Sequence, residues 1–352
     1  GASETGLAKG PPVEGGPRTI EWSRSNAMTA YILQRLIQSV LVLLAVSVVV
    51  FFAVYGIGDP IELLVSPSSS AAEREALVRR LGLDLPVWQQ YFVFMGNALK
   101  GDLGRSFVHG VPAIELILGR LPATFELVLL SMTLAIVTGV PLGLYAGLDP
   151  DSRPSRIIMG STILGFSLPS FWKGMMLILL FAVVLGWLPT AGRGETVSVL
   201  GIQTSLLTWD GLSHLALPAI NLAIPQMALM IRLVAAGTTE AMTQDYVKYA
   251  RAKGVKPRRV VGRHVLRNIL IPVVTVVGIE FGSLVAFSTI TETVFAWPGM
   301  GKLLIDSVYQ LDRPVVVAYV LLATLLFVTV NFLVDILYAA LDPRVKLTGE
   351  MA

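Results

Sequence analysis

The sequence predicts an all-α protein that crosses a membrane six times. Apolar residues make up 54% of the 352 positions and charged residues 14%, whereas an average soluble domain carries about 25% charged residues. Six apolar stretches are each long enough to cross a hydrocarbon core of about 30 Å as a helix. The 20 prolines and 32 glycines agree with this prediction, because both residues are more frequent in transmembrane helices than in soluble ones.

The apolar stretches divide the chain into four parts. The predicted spans cover residues 36–57, 122–148, 157–188, 215–236, 269–291 and 315–341. Residues 1–27 are polar and rich in Gly, Pro and Ser, so we predict a disordered tail, of the kind that an expression tag leaves before a native Met28. Residues 28–120 would hold the first span and a periplasmic segment, 121–341 the core of five spans, and 342–352 a cytoplasmic C-terminal tail.

The segment between the first two spans is amphipathic, and we predict two short helices in it. Ser70 and Glu73 form a capping box for the first helix, which should end at Gly82. The second helix should begin at Pro86 and end before Gly101. Apolar residues share one of its faces: Trp88, Tyr91, Phe92, Met95 and Leu99. That face either packs against neighbouring spans or lies on the membrane surface.

Prolines interrupt three of the spans. Pro141 lies in the second span, Pro169 in the third, and Pro218 and Pro225 in the fourth. Proline removes a backbone hydrogen bond and kinks a helix. Kinked helices around a central path would suit a conduit, although such prolines are also ordinary in transmembrane helices.

The distribution of basic residues predicts the orientation in the membrane. The loop between the third and fourth spans offers only Arg193. The loop between the fourth and fifth spans is far more basic, with Lys248, Arg251, Lys253, Lys256, Arg258, Arg259, Arg263 and Arg267. Positive loops remain in the cytoplasm, so the second of these loops should be cytoplasmic. Six spans then place both termini in the cytoplasm and residues 58–120 outside.

The sequence excludes several classes of chemistry. The chain has no cysteine, so disulfides and thiolate sites are absent. His109, His214 and His264 lie far apart and have no metal-ligand partner at helical spacing, so we predict no metal site. No GxxxxGK[ST] phosphate loop and no catalytic set of residues occurs. We therefore predict that the chain is not an enzyme.

The basic loop has the pattern of a helix, a turn and a second helix. Gly254 can adopt the left-handed conformation that ends the first helix, and Pro257 fits the first turn of the second. The small residues Ala250 and Ala252 would let the first helix approach a partner closely. A basic loop by itself would favour binding to lipid headgroups.

This loop resembles the coupling loop of binding-protein-dependent ABC importers, in the form found in dipeptide, oligopeptide, glutathione and nickel permeases. The resemblance rests on YVKYARAKG at 246–254 and RHVLRN at 263–268. The broader pattern of this loop is a Glu-Ala-Ala triplet, three further residues and then a Gly. In this sequence only Ala250 and Gly254 match that pattern. Other stretches follow the order of the family: GDP at 58–60, GDLG at 101–104, LPATFEL at 121–127, TETVFAWPGMG at 291–301 and DPR at 342–344. The resemblance covers about residues 28–345.

The resemblance implies the type I importer permease fold in a bacterial inner membrane. It implies as partners a homologous second permease, two ABC ATPase subunits and a periplasmic substrate-binding protein. ATP and Mg²⁺ would bind to the ATPase subunits, so this chain would bind no cofactor itself, and it would not bind nucleic acid. It would form half of the path for a small solute, most simply di- or oligopeptides, with a nickel chelate or glutathione as alternatives. A secondary transporter, which should show inverted repeats, and a non-transporting membrane receptor are the competing functions.

Three groups of candidate site residues follow. The coupling helix to the ATPase would comprise Tyr246, Ala250, Arg251, Ala252, Lys253 and Gly254. Glu280 lies near the middle of the fifth span, where a carboxylate facing lipid would cost roughly 2.5 to 3.5 kcal/mol. We therefore expect Glu280 to bond a neighbouring helix or to face the substrate path. Trp297, Pro298 and Gly299 would break any helix, and would form a periplasmic gate, a docking loop or a plain surface loop.

Overall fold

The computed structural model describes residues 17–55, 61, 70–80 and 83–341. Five helices are long and apolar enough to cross a membrane, and a bent pair of shorter helices makes a sixth crossing if it is taken as one span. The predicted number of six is therefore consistent with the structure. The described part of the chain also contains one short β-hairpin, which the prediction of an all-α protein did not include.

The described residues form thirteen α-helices, two π-helical segments and two strands. The helices are α1 (Pro17–Tyr55), α2 (Ala71–Arg80), α3 (Val87–Ala98), α4 (Ala113–Leu148), α5 (Arg153–Ser167), α6 (Ser170–Leu177), α7 (Trp209–Thr243), α8 (Asp245–Ala252), α9 (Pro257–Arg259), α10 (Leu266–Phe287), α11 (Thr289–Val294), α12 (Met300–Tyr309) and α13 (Arg313–Leu341). Two π-helical segments continue α6 (Ile178–Val184) and join α9 to α10 (Val260–Val265). Strands β1 (Val197–Val199) and β2 (Ile202–Thr204) pair antiparallel.

The N-terminal helix is longer than predicted. α1 begins at Pro17, so residues 17–27, which we expected in a disordered tail, are helical. Proline is favoured in the first turn of a helix, and an existing helix extends at little cost per residue. The capping box of α2 is confirmed: the Ser70 N–H donates to the Glu73 carboxylate at 2.9 Å, and the Glu73 N–H donates to the Ser70 hydroxyl at 3.3 Å. The predicted helix end at Gly82 lies outside the described residues.

The apolar face of α3 divides between two environments. Tyr91 packs on α1, with its ring 5.4 Å from that of Phe51 and its hydroxyl 3.0 Å from the Ser47 hydroxyl. Trp88 and Phe92 remain exposed. Part of the face thus packs against the first span, and the rest is left open.

The centre of the bundle is the contact between α4 and α7, which run parallel. Glycines at four-residue spacing line the contact: Gly139, Gly143 and Gly147. A Cβ atom added at Gly143 would lie 2.8 Å from the Ile231 carbonyl oxygen and 2.8 Å from the Val234 Cβ. Small residues at this spacing let transmembrane helices approach closely, and these glycines set the distance between the two helices.

The third span is not the single helix that residues 157–188 predicted. The chain bends by 108° between α5 and the helical run that begins with α6. Pro169 has no N–H to donate to the Gly165 carbonyl, and Leu168 before it is extended, so the helix breaks there. The Lys173 ammonium donates to the same Gly165 carbonyl at 3.0 Å, and this bond stabilises the bend.

The fifth span also differs from the predicted range 269–291. The helical run extends from Pro257 to Phe287, and α11 follows as a separate short helix after Ser288. We call the end of the bundle that carries β1, β2, α11 and α12 the hairpin end. We call the end that carries α8 and α9 the basic end.

Candidate functional site

At the basic end, α8 is held against the bundle by its apolar face. Val247 and Ala250 are buried and pack with Val260, Val265 and Ile269 from the next helical run. The π-helical segment widens the turn, and its i→i+5 spacing brings both Val260 and Val265 to the inner side. Ala250 therefore contacts its own chain and does not lie on the surface offered to a partner.

The end of α8 has the geometry that the sequence predicted. Gly254 has φ +73°; its N–H bonds to the Arg251 carbonyl, and the Val255 N–H bonds to the Ala250 carbonyl. These two bonds form a Schellman motif, which requires a residue in the left-handed region. Pro257 begins α9, again as predicted.

The outer face of α8 carries the remaining candidate residues. Tyr249 is 63% exposed, and the Lys253 ammonium lies 4.5 Å from the centre of its ring. Arg251 and Ala252 are exposed as well. An aromatic ring flanked by cations is thus presented away from the bundle.

A hydrogen bond fixes α8 relative to the fifth span. The Asn268 side-chain amide donates to the Tyr246 hydroxyl at 2.8 Å and to the His264 carbonyl at 3.1 Å. Movement of α8 is therefore linked to α10 through Tyr246 and Asn268.

Glu280 bonds a neighbouring helix, which was one of its two predicted positions. The side-chain amide of Gln226 on α7 donates to the Glu280 carboxylate at 3.1 Å. Among the described residues, the carbonyl oxygens of the Gln226 and Asn221 side chains are buried without a hydrogen-bond partner. Asn221 donates through its amide nitrogen to Thr291 at 3.1 Å, so α7 carries two buried polar side chains that bond neighbouring helices.

At the hairpin end, Trp297 is fully buried. Its indole N–H donates to the Ala123 carbonyl at 2.9 Å. Gly299 is buried too, and a Cβ atom there would collide with the Glu292 carboxylate; only Pro298 of the three predicted residues is partly exposed. The segment is an anchored turn, and the indole of Trp297 is not on the surface.

Glu292 joins this turn to α4. Its carboxylate accepts hydrogen bonds from the Thr124 hydroxyl at 2.7 Å, the Ser288 hydroxyl at 2.9 Å and the Lys302 N–H at 3.0 Å. The Thr124 hydroxyl in turn accepts from the Met300 N–H. Burial raises the pKa of Glu292 above its usual 4.5, and these hydrogen bonds oppose the rise in part.

A second buried carboxylate holds the β-hairpin. Glu126 pairs with Arg193 at 2.8 Å and accepts from the Ser205 N–H at 3.0 Å and the Ser205 hydroxyl at 2.8 Å. Arg193 also donates to the Gln203 carbonyl of β2 at 2.6 Å. The sequence did not identify Glu126 as a structural centre. The usable signal was a carboxylate inside an apolar stretch, which must find a partner.

The three histidines lie apart from one another in the sequence, and His214 bonds within its own helix. His214 bonds the Asp210 carbonyl at 2.9 Å, four residues earlier on the same helix. Within the described ranges, no group of three or more possible metal ligands comes together.

Comparison with known proteins gives this geometry its context. Residues 139–347 match the family described as binding-protein-dependent transport system inner membrane component, and residues 28–128 match the corresponding N-terminal family. The oligopeptide transport system permease protein AppB of Bacillus subtilis is 39% identical over 321 residues, which cover 91% of this chain and 100% of AppB. The glutathione transport system permease protein GsiC of Escherichia coli O6:H1 is 39% identical over 320 residues, which cover 91% of this chain and 99% of GsiC.

A solved structure supports the fold. The MetNI methionine ABC transporter in inward-facing conformations aligns with a TM-score of 0.50 at 18% identity, over 65% of this chain and 97% of the MetNI chain. Fold and relatives together define the class: a permease subunit of an ABC importer. The chain belongs to the family of binding-protein-dependent transport system inner membrane components, and it is a multi-pass inner membrane protein. The resemblance seen in the sequence is thereby confirmed, and the secondary transporter and the receptor are set aside.

Proposed function

We propose that this chain pairs with a homologous second permease to form the path for a solute that a periplasmic binding protein delivers. Two ATPase subunits at the basic end bind and hydrolyse ATP with Mg²⁺. The basic end and both termini are cytoplasmic, and the hairpin end is periplasmic. The charges support this orientation, because the basic end carries a cluster of cations and the one arginine of the hairpin loop, Arg193, is neutralised by Glu126.

The observation that carries the coupling role is the division of α8 into two faces. Val247 and Ala250 fix the helix to the bundle, whereas Tyr249, Arg251 and Lys253 project from it. A short helix of this kind transmits force as a rigid unit, because Tyr246 connects it to α10 through Asn268. Gly254 ends the helix, and a Cβ atom added there would meet no atom within 4 Å, so its role is conformational and not close approach.

Replacement of Tyr249 tests this assignment. In the complete transporter, Tyr249→Ala should lower co-purification of the ATPase subunits and ATPase stimulation by the loaded binding protein at least tenfold, on the scale of interface hot spots. Tyr309→Ala is the matched control for co-purification, since Tyr309 is a more exposed tyrosine at the opposite end. Unchanged co-purification and stimulation in Tyr249→Ala would refute the coupling role.

We propose that Glu280 and Gln226 form part of the substrate path, supported by the unpaired Gln226 oxygen beside a half-buried carboxylate. Glu280→Gln should change the ratio of cationic to neutral solute uptake, and a ratio unchanged from wild type would exclude contact with substrate. For 297–299 we propose a gate and not a docking surface, because Trp297 is anchored inside the fold. A disulfide that ties this turn to α4 should stop transport without loss of binding-protein docking.

Short peptides are the substrate class we propose, with glutathione as the alternative. AppB is named for oligopeptide transport and GsiC for glutathione transport, at the same 39% identity. Mass spectrometry of the ligand that co-purifies with the cognate binding protein distinguishes the two. Mixed short peptides are expected, and glutathione alone would favour the second candidate.

A further inference from the structure

The fifth helical run is too long for the hydrocarbon core. Pro257–Phe287 is 31 residues, about 46 Å of helix, against a core of about 30 Å. Exposed apolar side chains begin at Leu270 and continue to Phe287, and this part alone spans about 27 Å. The polar part, 257–268, is about 18 Å long, so it begins in the lipid headgroup layer and extends outward from it.

This polar part carries four exposed arginines, and three of them repeat regularly along the helix. Arg259, Arg263 and Arg267 follow one another at four-residue spacing, and all three are exposed. Val260 and Val265 point the opposite way and are buried. The helix is thus apolar towards the bundle and cationic towards its surroundings, from the headgroup layer outward.

Among the described residues, these three cations have no ion-pair partner. In the part of the chain that the structure describes, no carboxylate lies within ion-pair distance of Arg259, Arg263 or Arg267, whereas Lys248 on α8 pairs with Asp245 at 2.9 Å. Guanidinium groups bind phosphate oxygens through two parallel hydrogen bonds. Basic clusters next to a membrane span attract anionic lipids, and each cation adds to the attraction.

We propose that Arg259, Arg263 and Arg267 form a binding site for the headgroup of an anionic phospholipid. This arginine stripe is distinct from the outer face of α8, which projects beyond the bundle. Asn268 follows Arg267 directly and holds the Tyr246 hydroxyl, so a bound headgroup also stabilises the position of α8.

Lipid retention by the full purified chain tests the site. Native mass spectrometry of the chain, titrated with phosphatidylglycerol and separately with phosphatidylcholine, should show tighter binding of phosphatidylglycerol. In R259Q/R263Q/R267Q this preference should fall roughly tenfold or more. R259K/R263K/R267K keeps the charge and should keep part of the preference, and it remains informative if the glutamine variant folds poorly.

The matched control removes the same number of cations at the same end. K248Q/R251Q/K253Q changes α8 only, and it should retain the preference for phosphatidylglycerol. Equal loss in both triple variants, or no loss in R259Q/R263Q/R267Q, would overturn the site. A stripe variant that binds lipid normally but no longer retains ATPase subunits would assign the arginines to protein docking and would also overturn it. Because the lipid measurement uses the isolated chain, its result does not depend on the coupling role of α8.

Discussion

The two ends of the bundle differ in where their charged groups find partners. At the hairpin end, the carboxylates of Glu126, Glu292 and Asp312 are buried, and each accepts hydrogen bonds from its own chain. At the basic end, the cations are exposed, and among the described residues Asp245 is the one carboxylate that pairs with them. A buried carboxylate is tolerated when hydrogen bonds satisfy its oxygens, so the buried carboxylates of the hairpin end need no other molecule. The basic end presents its charges to other molecules.

Replacement of Glu292 should give the largest loss of stability. Glu292→Ala leaves the Thr124 hydroxyl, the Ser288 hydroxyl and the Lys302 N–H without their acceptor. Each buried donor left unsatisfied costs about 1–3 kcal/mol, so we expect a loss of about 3 kcal/mol or more in the free energy of unfolding. Denaturation of the purified chain in one detergent measures it. Glu195→Ala removes an exposed carboxylate at the same end and should change little; an equal effect of the two would contradict the comparison.

The pH dependence of this site has a defined sign. Because burial raises the pKa of Glu292 above its usual 4.5, the folded state retains the proton at pH values where the unfolded state has released it. The stability contribution of Glu292 is thus fully present below pH 4.5 and is lost as the pH rises through the folded pKa. Glu292→Gln does not titrate, so wild type should lose stability relative to this variant as the pH increases. A difference that stays constant with pH would show that the pKa is not raised.

The separation along the sequence between bonded residues explains what could be predicted from the sequence. The capping box of Ser70 and Glu73 and the helix end at Gly254 follow from residues within a few positions of each other, and both predictions are confirmed. Arg193 bonds Glu126 across 67 positions, and Thr124 bonds Glu292 across 168. Propensity and spacing carry no information about such contacts, so the predicted loop at Trp297 gave no sign that its indole is buried.

Two other structural features, the close contact of α4 with α7 and the bend at Pro169, involve residues that are close together in the sequence. The glycine spacing of Gly139, Gly143 and Gly147 is typical of close helix packing, and the structure places all three against α7. Pro169 was predicted to kink the third span, but the size of the bend depends on Lys173, which bonds the carbonyl that the proline leaves open. A sequence shows where a helix loses a hydrogen bond and not which side chain replaces it.

The buried ion pair of the hairpin end should show a clear coupling energy. The side chains of Arg193 and Glu126 are 13% and 8% exposed. A double-mutant cycle with Arg193→Met and Glu126→Gln should give about 1–3 kcal/mol. Protease sensitivity of the loop at 193–208 should rise in both single variants, because the pair holds the hairpin. Additive single effects would contradict a direct interaction.

A smaller effect is expected where α8 ends. Gly254 has φ +73°, and an L-residue in the left-handed region costs about 1–2 kcal/mol. Gly254→Ala should therefore reduce stability by about 1 kcal/mol. Gly262→Ala is the control, because Gly262 has ordinary φ and open space around it; it should be neutral or slightly stabilising. A loss of stability of the same size at Gly262 would mean that helix packing, and not the left-handed conformation of Gly254, determines the stability of this region.

The smallest effect should come from the ion pair of the basic end. Lys248 and Asp245 are joined at 2.9 Å, close to the 2.8 Å of the buried pair, but their side chains are 67% and 97% exposed. Exposed pairs gain little because water screens them and holding two side chains in place costs entropy. A double-mutant cycle with Lys248→Gln and Asp245→Asn should give a coupling energy indistinguishable from zero in the isolated chain. If the same cycle gives a measurable coupling in the assembled transporter, a partner has buried the pair, as the coupling role of α8 requires. A coupling in the isolated chain as large as that of Arg193 and Glu126 would remove the distinction between the two ends.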